Sequence, residues 1–143
     1  MLKKCDIILR RKIKIPKEIM KNIKIVLIED DEILSKVINE ELKDAGFDVY
    51  PAFDGPKGLD LVRLKKPDLI LLDLVLPGMH GFEVLEKLKK ESDTSGAPVM
   101  ILTMLGSDDD IKKGIQLGAD DYVVKSQHAV GEIIDKIKEK YAA

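Results

Sequence analysis

The chain has 143 residues, of which 45% are apolar and 35% charged, and its formal net charge is -2. This length is typical of one domain, and the apolar content with the small net charge excludes an intrinsically disordered chain. The single cysteine excludes an intramolecular disulfide framework and, with only two histidines, argues against a structural zinc site. The apolar runs are too short for a membrane span, so we expect a cytoplasmic protein without membrane insertion.

Positive charge is concentrated at the start of the chain. Residues 1–22 hold eight Lys or Arg against two acids, whereas residues 23–143 hold sixteen against twenty-four. The first segment lacks the interleaved aromatics and the amphipathic period of an arm that binds nucleic acid or membrane. We interpret residues 1–21 as a basic N-terminal extension, either loosely packed or the product of a start codon upstream of Met20. Removal of residues 1–19 should leave folding and activity intact.

From residue 22 onward, short apolar runs alternate with longer amphipathic segments. The apolar runs predict strands at residues 23–28, 47–53, 69–72, 98–103 and 122–124. The amphipathic segments predict helices at residues 33–46, 54–66, 82–90, 109–117 and 130–141. This alternation predicts an α/β fold, a (βα)5 doubly wound parallel sheet of five strands covered by helices on both faces. Residues 22–143 then form one domain.

Polar residues follow four of the five predicted strands, in positions where a doubly wound fold binds its ligands. They are Glu29 and Asp30 after the first strand, Asp73 after the third, Thr103 at the end of the fourth and Lys125 after the fifth. Carboxylates brought together repel one another unless a cation joins them, and a few hard oxygen ligands suit Mg²⁺. A lysine and a hydroxyl nearby would contact phosphate oxygens. Each residue alone could be a helix cap or a solvated strand end, but their conjunction at one edge favours a site for Mg²⁺ and phosphate.

Other polar residues are assigned ordinary structural roles. Asp31 and Glu32 are predicted to cap the first helix, and residues 108–110 to form the first turn of the fourth, because acids are favourable at helix N-termini. His80 and His128 are predicted to lie in solvated loops, since neither has metal-ligand spacing or a catalytic partner.

Residues 22–141 resemble the receiver domain of two-component response regulators, relatives of the chemotaxis response regulator. The motifs that carry the resemblance are VLIEDDE at 26–32, LILLDLVLPGMHG at 69–81, VMILT at 99–103 and GADDYVVK at 118–125. The second is a highly specific signature, and the match spans the whole (βα)5 unit. The resemblance implies a flavodoxin-like sheet with strand order 2-1-3-4-5.

The resemblance also implies a phosphorylation chemistry. Asp73 would be the phosphoacceptor, taking a phosphoryl group from a sensor histidine kinase, a phosphotransfer protein or a small phosphodonor. Glu29, Asp30, Asp73 and the Val75 carbonyl would bind Mg²⁺, and Lys125 would pair with phosphoryl oxygens. Such a domain is a signalling switch, and it catalyses only its own phosphorylation and dephosphorylation.

The same resemblance implies a conformational switch. Thr103 would hydrogen-bond the acyl phosphate, and Tyr122 would rotate into the space that Thr103 vacates. The two would couple the phosphorylation site to a surface formed by the fourth helix, fifth strand and fifth helix, roughly residues 107–141. That surface would control a downstream output protein or domain, with no direct contact to nucleic acid.

Three features depart from the family pattern. Met104 follows Thr103 where a small residue is usual, which would obstruct access of the phosphodonor. Ser126 follows Lys125 where proline is usual, which puts the conformation of that loop and the reach of Lys125 in question. Val75 and Leu105 are apolar where many relatives carry polar residues that position water, so we expect the phosphorylated state to be long-lived.

Three other functions compete with phosphorylation. One of them, a DNA-binding regulator, would need a helix-turn-helix segment or a basic recognition helix, and the chain has neither beyond its basic N-terminal extension. A Mg²⁺-dependent phosphatase with an aspartate nucleophile would need a second acid two residues later, and that position is Val75. An interaction module that keeps the receiver fold without phosphorylation stays open as the alternative. The complete set of site residues argues against it.

Overall fold

The computed structural model describes residues 23–141. Five strands and five helices alternate along these residues: β1 (Lys24–Ile28), α1 (Glu32–Asp44), β2 (Asp48–Ala52), α2 (Gly55–Lys65), β3 (Leu69–Leu72), α3 (Gly81–Lys90), β4 (Val99–Thr103), α4 (Asp108–Gln116), β5 (Asp121–Val124) and α5 (Val130–Tyr141). A short 3₁₀ turn, Lys125–Gln127, follows β5. All ten predicted elements are present. The predicted basic extension, residues 1–21, lies outside the described residues, and its role stays a prediction.

The strands form one parallel sheet in the order β2-β1-β3-β4-β5. The predicted flavodoxin-like order is therefore confirmed. In the register of the sheet, Ile28 lies beside Leu72 and Leu72 beside Ile101, so the carboxyl ends of the three central strands meet at one edge. The order reverses between β1 and β3, which opens a crevice where these two strands end. Glu29 and Asp73 come directly after these ends.

Each face of the sheet carries its own apolar core, because successive side chains of a strand point to opposite faces. On one face, side chains such as Ile25 and Leu27 pack with α1 and α5. On the other face, side chains such as Val26 and Ile28 pack with α2 and α3. The central strands are buried on both faces, which explains their continuously apolar sequences. Burial of each such side chain contributes about 1.5–3 kcal/mol to folding.

Helix α1 buries a narrower apolar stripe than its sequence suggests. The side chains of Ile38 and Leu42 are buried and Leu34 packs beside them. Ile33 and Val37 are 79% and 39% exposed. Each precedes an inward residue by one position, which rotates it about 100° around the helix axis and away from the sheet. Among residues 23–141, no helix is long and apolar enough to cross a membrane.

Polar residues at the N-termini of α1 and α4 take their predicted places, and the structure adds a cap on α3. The Asp31 carboxylate accepts hydrogen bonds from the amides of Ile33 and Leu34, at 3.0 and 3.1 Å, and caps α1 as predicted. Residues 108–110 form the first turn of α4, also as predicted. His80 lies exposed in the loop before α3, as predicted, and its Nδ1 also accepts a hydrogen bond from the Phe82 amide at 3.1 Å, which caps the helix. A neutral imidazole can take the place of the usual oxygen acceptor because Nδ1 carries a lone pair.

Candidate functional site

The site lies in the crevice between the ends of β1 and β3. Backbone hydrogen bonds position its two buried acids: the Glu29 amide donates to the Ala52 carbonyl and the Asp73 amide to the Ile28 carbonyl, each at 3.0 Å. Glu29 and Asp73 are buried, whereas Asp30 is exposed at the rim. Parallel pairing thus brings two sequence-distant acids to one point.

Three carboxylates converge in this crevice. Glu29, Asp30 and Asp73 each offer an oxygen, and these oxygens lie within 4.8 Å of one another. Oε2 of Glu29 is buried and has no hydrogen-bond partner. A buried carboxylate oxygen without a partner is costly, and a bound cation would satisfy it. The all-oxygen donor set therefore fits a hard divalent cation such as Mg²⁺.

Lys125 extends from the end of β5 into the same crevice. Its ammonium group donates a hydrogen bond to Glu29 Oε1 at 2.6 Å and to Asp73 Oδ2 at 3.0 Å. The lysine side chain is 12% exposed, so both ion pairs are shielded from water. Peptide bonds throughout residues 23–141 are trans, including the one before Ser126. Lys125 thus reaches the acids without a proline in the loop.

The two buried carboxyls differ in their preference for a proton. Burial, together with the nearby Asp73 side chain, raises the pKa of Glu29 to about 8, against the opposing effect of Lys125. Burial alone would raise the pKa of Asp73, but its interactions with Glu29 and Lys125 hold that pKa below its ordinary value. The pKa values of two adjacent carboxyls move apart in this way because two neighbouring negative charges repel each other. Asp73 is therefore the more acidic carboxyl of the pair.

Thr103 and Tyr122 are joined through the backbone of Leu105. Thr103 is buried at the end of β4, and its Oγ1 accepts a long hydrogen bond, 3.4 Å, from the Leu105 amide. The Tyr122 hydroxyl donates to the Leu105 carbonyl at 2.5 Å. Burial, with the charges of Asp110 and Asp73, raises the pKa of Tyr122 to about 12. The sequence carried no signal for the bridging role of Leu105, because backbone groups are the same in every residue.

Apolar side chains lie at the rim of the crevice. Val75 and Met104 are 52% and 61% exposed, and the Val75 amide donates to Asp73 Oδ1 at 3.2 Å. This hydrogen bond fixes the loop after β3 against the Asp73 carboxylate. The predicted contribution of the Val75 carbonyl to a metal site stays a prediction.

Gly81 holds the far end of that loop close to the acid. Its amide donates to the Leu74 carbonyl at 2.8 Å. A Cβ placed on Gly81 would lie 2.4 Å from both the Asp73 carbonyl oxygen and Leu74 Cα, far inside van der Waals contact. Only glycine allows this approach, which accounts for the last residue of the LPGMHG motif.

Comparisons with known proteins agree with this architecture. The sequence model of the family described as "Response regulator receiver domain" matches residues 25–138. The phosphorylated cyanobacterial phytochrome response regulator RcpA is 30% identical, with a TM-score of 0.72 over 84% of this chain and 94% of that one. The Mn²⁺-bound form of response regulator Rcp1 is 28% identical, with a TM-score of 0.75 over 83% and 94%. The chemotaxis response regulator CheY4 of Vibrio cholerae is 25% identical, with a TM-score of 0.75 over 81% and 96%.

Proposed function

Because the chain belongs to the response regulator receiver domain family, whose members are phosphoacceptor signalling domains, we propose that it accepts a phosphoryl group on Asp73. The donor would be a sensor histidine kinase, a phosphotransfer protein or a small acyl phosphate. The observation that carries the proposal is the contact of the ionised, buried Asp73 carboxylate with Lys125, beside two further acids. This arrangement supplies a nucleophile together with positive charge for the incoming phosphoryl oxygens.

The transfer needs no separate base. Asp73 is already ionised, so its carboxylate oxygen can attack phosphorus directly. The new bond makes an acyl phosphate, while the bond from phosphorus to the donor nitrogen or oxygen breaks and its electron pair leaves with the donor. Lys125 pairs with the phosphoryl oxygens during the transfer, since its ammonium group already lies 3.0 Å from Asp73. Because the lysine is already held beside Asp73, it needs little rearrangement when the negatively charged phosphoryl group binds.

The metal in this proposal is Mg²⁺. Glu29, Asp30 and Asp73, with the Val75 carbonyl, would hold it, and it would supply positive charge to the phosphoryl oxygens. The unpartnered Glu29 Oε2 and the convergence of three carboxylates support this assignment. The similar response regulator Rcp1 was crystallised in a Mn²⁺-bound form, which is also a hard divalent cation.

The output of the site would pass through Thr103, Leu105 and Tyr122. A hydroxyl drawn towards the acyl phosphate would alter the Leu105 backbone, and the Tyr122 hydrogen bond would carry the change to β5. The surface of α4, β5 and α5 would then bind a downstream output protein or domain in the cytoplasm. We propose no direct contact with nucleic acid and no enzymatic activity beyond self-phosphorylation and dephosphorylation.

The test is the intact mass of the protein after incubation with Mg²⁺ and a small acyl phosphate. The native chain should gain one phosphoryl group, and Asp73→Asn should gain none. Asp31→Asn is the matched control, because it removes an acid at the same edge that only caps α1. An equal gain in Asp73→Asn, mapped to another residue, would refute the assignment.

The alternative function, an interaction module that works without phosphorylation, gives a different result in the same experiment. The folded native protein would then gain no mass with any phosphodonor, with or without Mg²⁺. The contact of Asp73 with Lys125, beside two further acids, favours phosphorylation over this alternative.

A further inference from the structure

Helix α4 contains a glycine that its backbone does not require. Gly114 lies two residues before the end of α4, and glycine is the poorest helix former apart from proline. A positive φ would explain a glycine, but among the described glycines only Gly46, Gly78 and Gly118 have one. Gly114 therefore has an ordinary helical backbone, and the reason for its missing side chain lies in its surroundings.

The space beside Gly114 is filled by the ring of Tyr122. A Cβ placed on Gly114 would lie 3.0 and 3.1 Å from Tyr122 Cδ2 and Cε2, and 2.8 Å from Ile101 Cδ1. Carbon atoms in optimal contact are about 3.5–4.0 Å apart, so an alanine methyl group would overlap both neighbours. Gly114 is buried, so α4 cannot move away without opening a gap against the sheet.

The side chains of Ile101 and Tyr122 differ in how easily they can move. Cδ1 is the flexible end of the Ile101 side chain and can change rotamer. The Tyr122 ring is planar and rigid, and its hydroxyl donates a hydrogen bond to the Leu105 carbonyl at 2.5 Å. Movement of the ring away from Gly114 therefore shifts the hydroxyl relative to the Leu105 carbonyl.

We propose that Gly114 is a positioning residue for Tyr122: its missing side chain makes the space for the aromatic ring and so keeps the hydroxyl on Leu105. A methyl group at position 114 displaces the ring from α4 and disturbs its hydrogen bond to the loop between β4 and α4. The consequence for signalling rests on the proposed function, because Leu105 also contacts Thr103. The raised pKa of Tyr122 agrees with a ring held inside this space.

The first measurement is nuclear magnetic resonance of the full chain with ¹³C-labelled tyrosine rings, without phosphodonor or metal. Gly114→Ala should shift the Tyr122 ring resonances and leave those of Tyr50 and Tyr141 in place. Gly131→Ala is the matched control, because Gly131 also lies in a helix, α5, and a Cβ there would meet nothing within 4 Å. Unchanged Tyr122 resonances in Gly114→Ala would overturn the proposal.

The second measurement is the unfolding equilibrium constant in urea. Gly114→Ala should raise this constant about tenfold in the native background, as overpacking does. In a Tyr122→Ala background, where the space is free, the same change should leave the constant equal or lower, because alanine is the better helix former. An equal rise in both backgrounds would assign the clash to Ile101 and refute the role in positioning Tyr122.

A variant that does not fold is also informative. If Gly114→Ala folds only together with Tyr122→Ala, the ring is the obstacle and the proposal stands. If Tyr122→Ala alone folds but neither protein with Gly114→Ala does, the obstacle is elsewhere and the proposal fails. Because no arm uses phosphorylated protein, this result is independent of whether Asp73 accepts a phosphoryl group.

Discussion

The ammonium group of Lys125 lies 2.6 Å from the Glu29 carboxylate, although the two residues are 96 positions apart in the chain. This contact occupies Oε1 of Glu29 and leaves Oε2 buried without a partner. A buried ion pair contributes little net stability, because desolvation of the charges offsets their attraction. The pair is better explained as part of a binding site, in which one Glu29 oxygen is held by lysine and the other is available to a cation.

Mg²⁺ should therefore stabilise the folded protein through the three acids. A ligand that binds only the folded state raises the melting temperature with its concentration, and a chelator should reverse the rise. Asp30→Asn should weaken the apparent Mg²⁺ affinity about tenfold or more, because it removes an exposed ligand without disturbing the core. Titration of the melting temperature with Mg²⁺ measures this affinity. Asp31→Asn is the control, and equal affinities in the two variants would contradict the metal assignment.

Phosphorylation should change the environment of Tyr122 through the Thr103 hydroxyl. The native protein should show altered Tyr122 ring resonances after treatment with Mg²⁺ and a small acyl phosphate. In Thr103→Ala this change should be lost, because the link from the phosphoryl group to Leu105 begins at Oγ1. Thr103→Ser keeps the hydroxyl and should retain most of the change. If Thr103→Ala responds as the native protein does, the coupling follows another route.

The phosphorylated state should be long-lived because the rim of the crevice cannot orient water. Val75→Asn places a polar group beside Asp73, and the acyl phosphate of this variant should hydrolyse about tenfold faster. This acceleration requires the activation barrier to fall by only about 1.4 kcal/mol. Val75 is the better position for this test. Leu105 is partly buried and packs against the core, so its substitution would also change packing. The decay of the phosphorylated mass after removal of the donor gives the rate.

Two further variants separate water positioning from access. Val75→Ala keeps the rim apolar and should leave the lifetime of the phosphorylated state near that of the native protein. Met104→Ala opens access beside Thr103, where Met104 is 61% exposed, and should accelerate phosphorylation by the donor. A Val75→Asn variant that decays at the native rate would show that this side chain does not set the lifetime.

Asp121 should make stability depend on acid pH. Burial alone would raise the pKa of Asp121, but the hydrogen bonds from Lys140 and from the Tyr122 amide, with the charge of Lys136, hold it below its ordinary value. A carboxyl with a lowered folded-state pKa contributes stability above its unfolded pKa, about 3.9, and loses it as the pH falls through the folded pKa. Asp121→Asn should therefore cost about 1 kcal/mol at neutral pH, because the lysine partners are half-exposed.

Unfolding measurements at several pH values distinguish the loss of the Asp121 ion pairs from a loss of packing in Asp121→Asn. The difference in unfolding free energy between the native protein and Asp121→Asn should be constant above about pH 5 and shrink as the pH falls below about 4. Glu139→Gln, which removes an exposed acid of α5, should show no comparable difference. A difference for Asp121→Asn that does not vary with pH would exclude the electrostatic origin.

Much of the fold was predictable because the signals are local. A buried strand such as β3 reads as a continuous apolar run, and a helix shows its period within a few turns. The ends of parallel strands meet at one edge in any doubly wound sheet, so polar residues after the strands could be assigned to a common site. Asp73 and Glu29 were found in this way, and the receiver motifs implied the order of the strands.

The contacts within the site were decided only by the tertiary structure. The reach of Lys125 to Glu29 depends on the 3₁₀ turn after β5, and the bridge from Thr103 to Tyr122 uses the backbone of Leu105, which no side-chain pattern reveals. The cap formed by His80 and the space beside Gly114 depend in the same way on neighbours distant in the chain or on side-chain direction. Periodicity specifies which face of an element is apolar, whereas the atoms that meet across two elements are specified only when those elements pack.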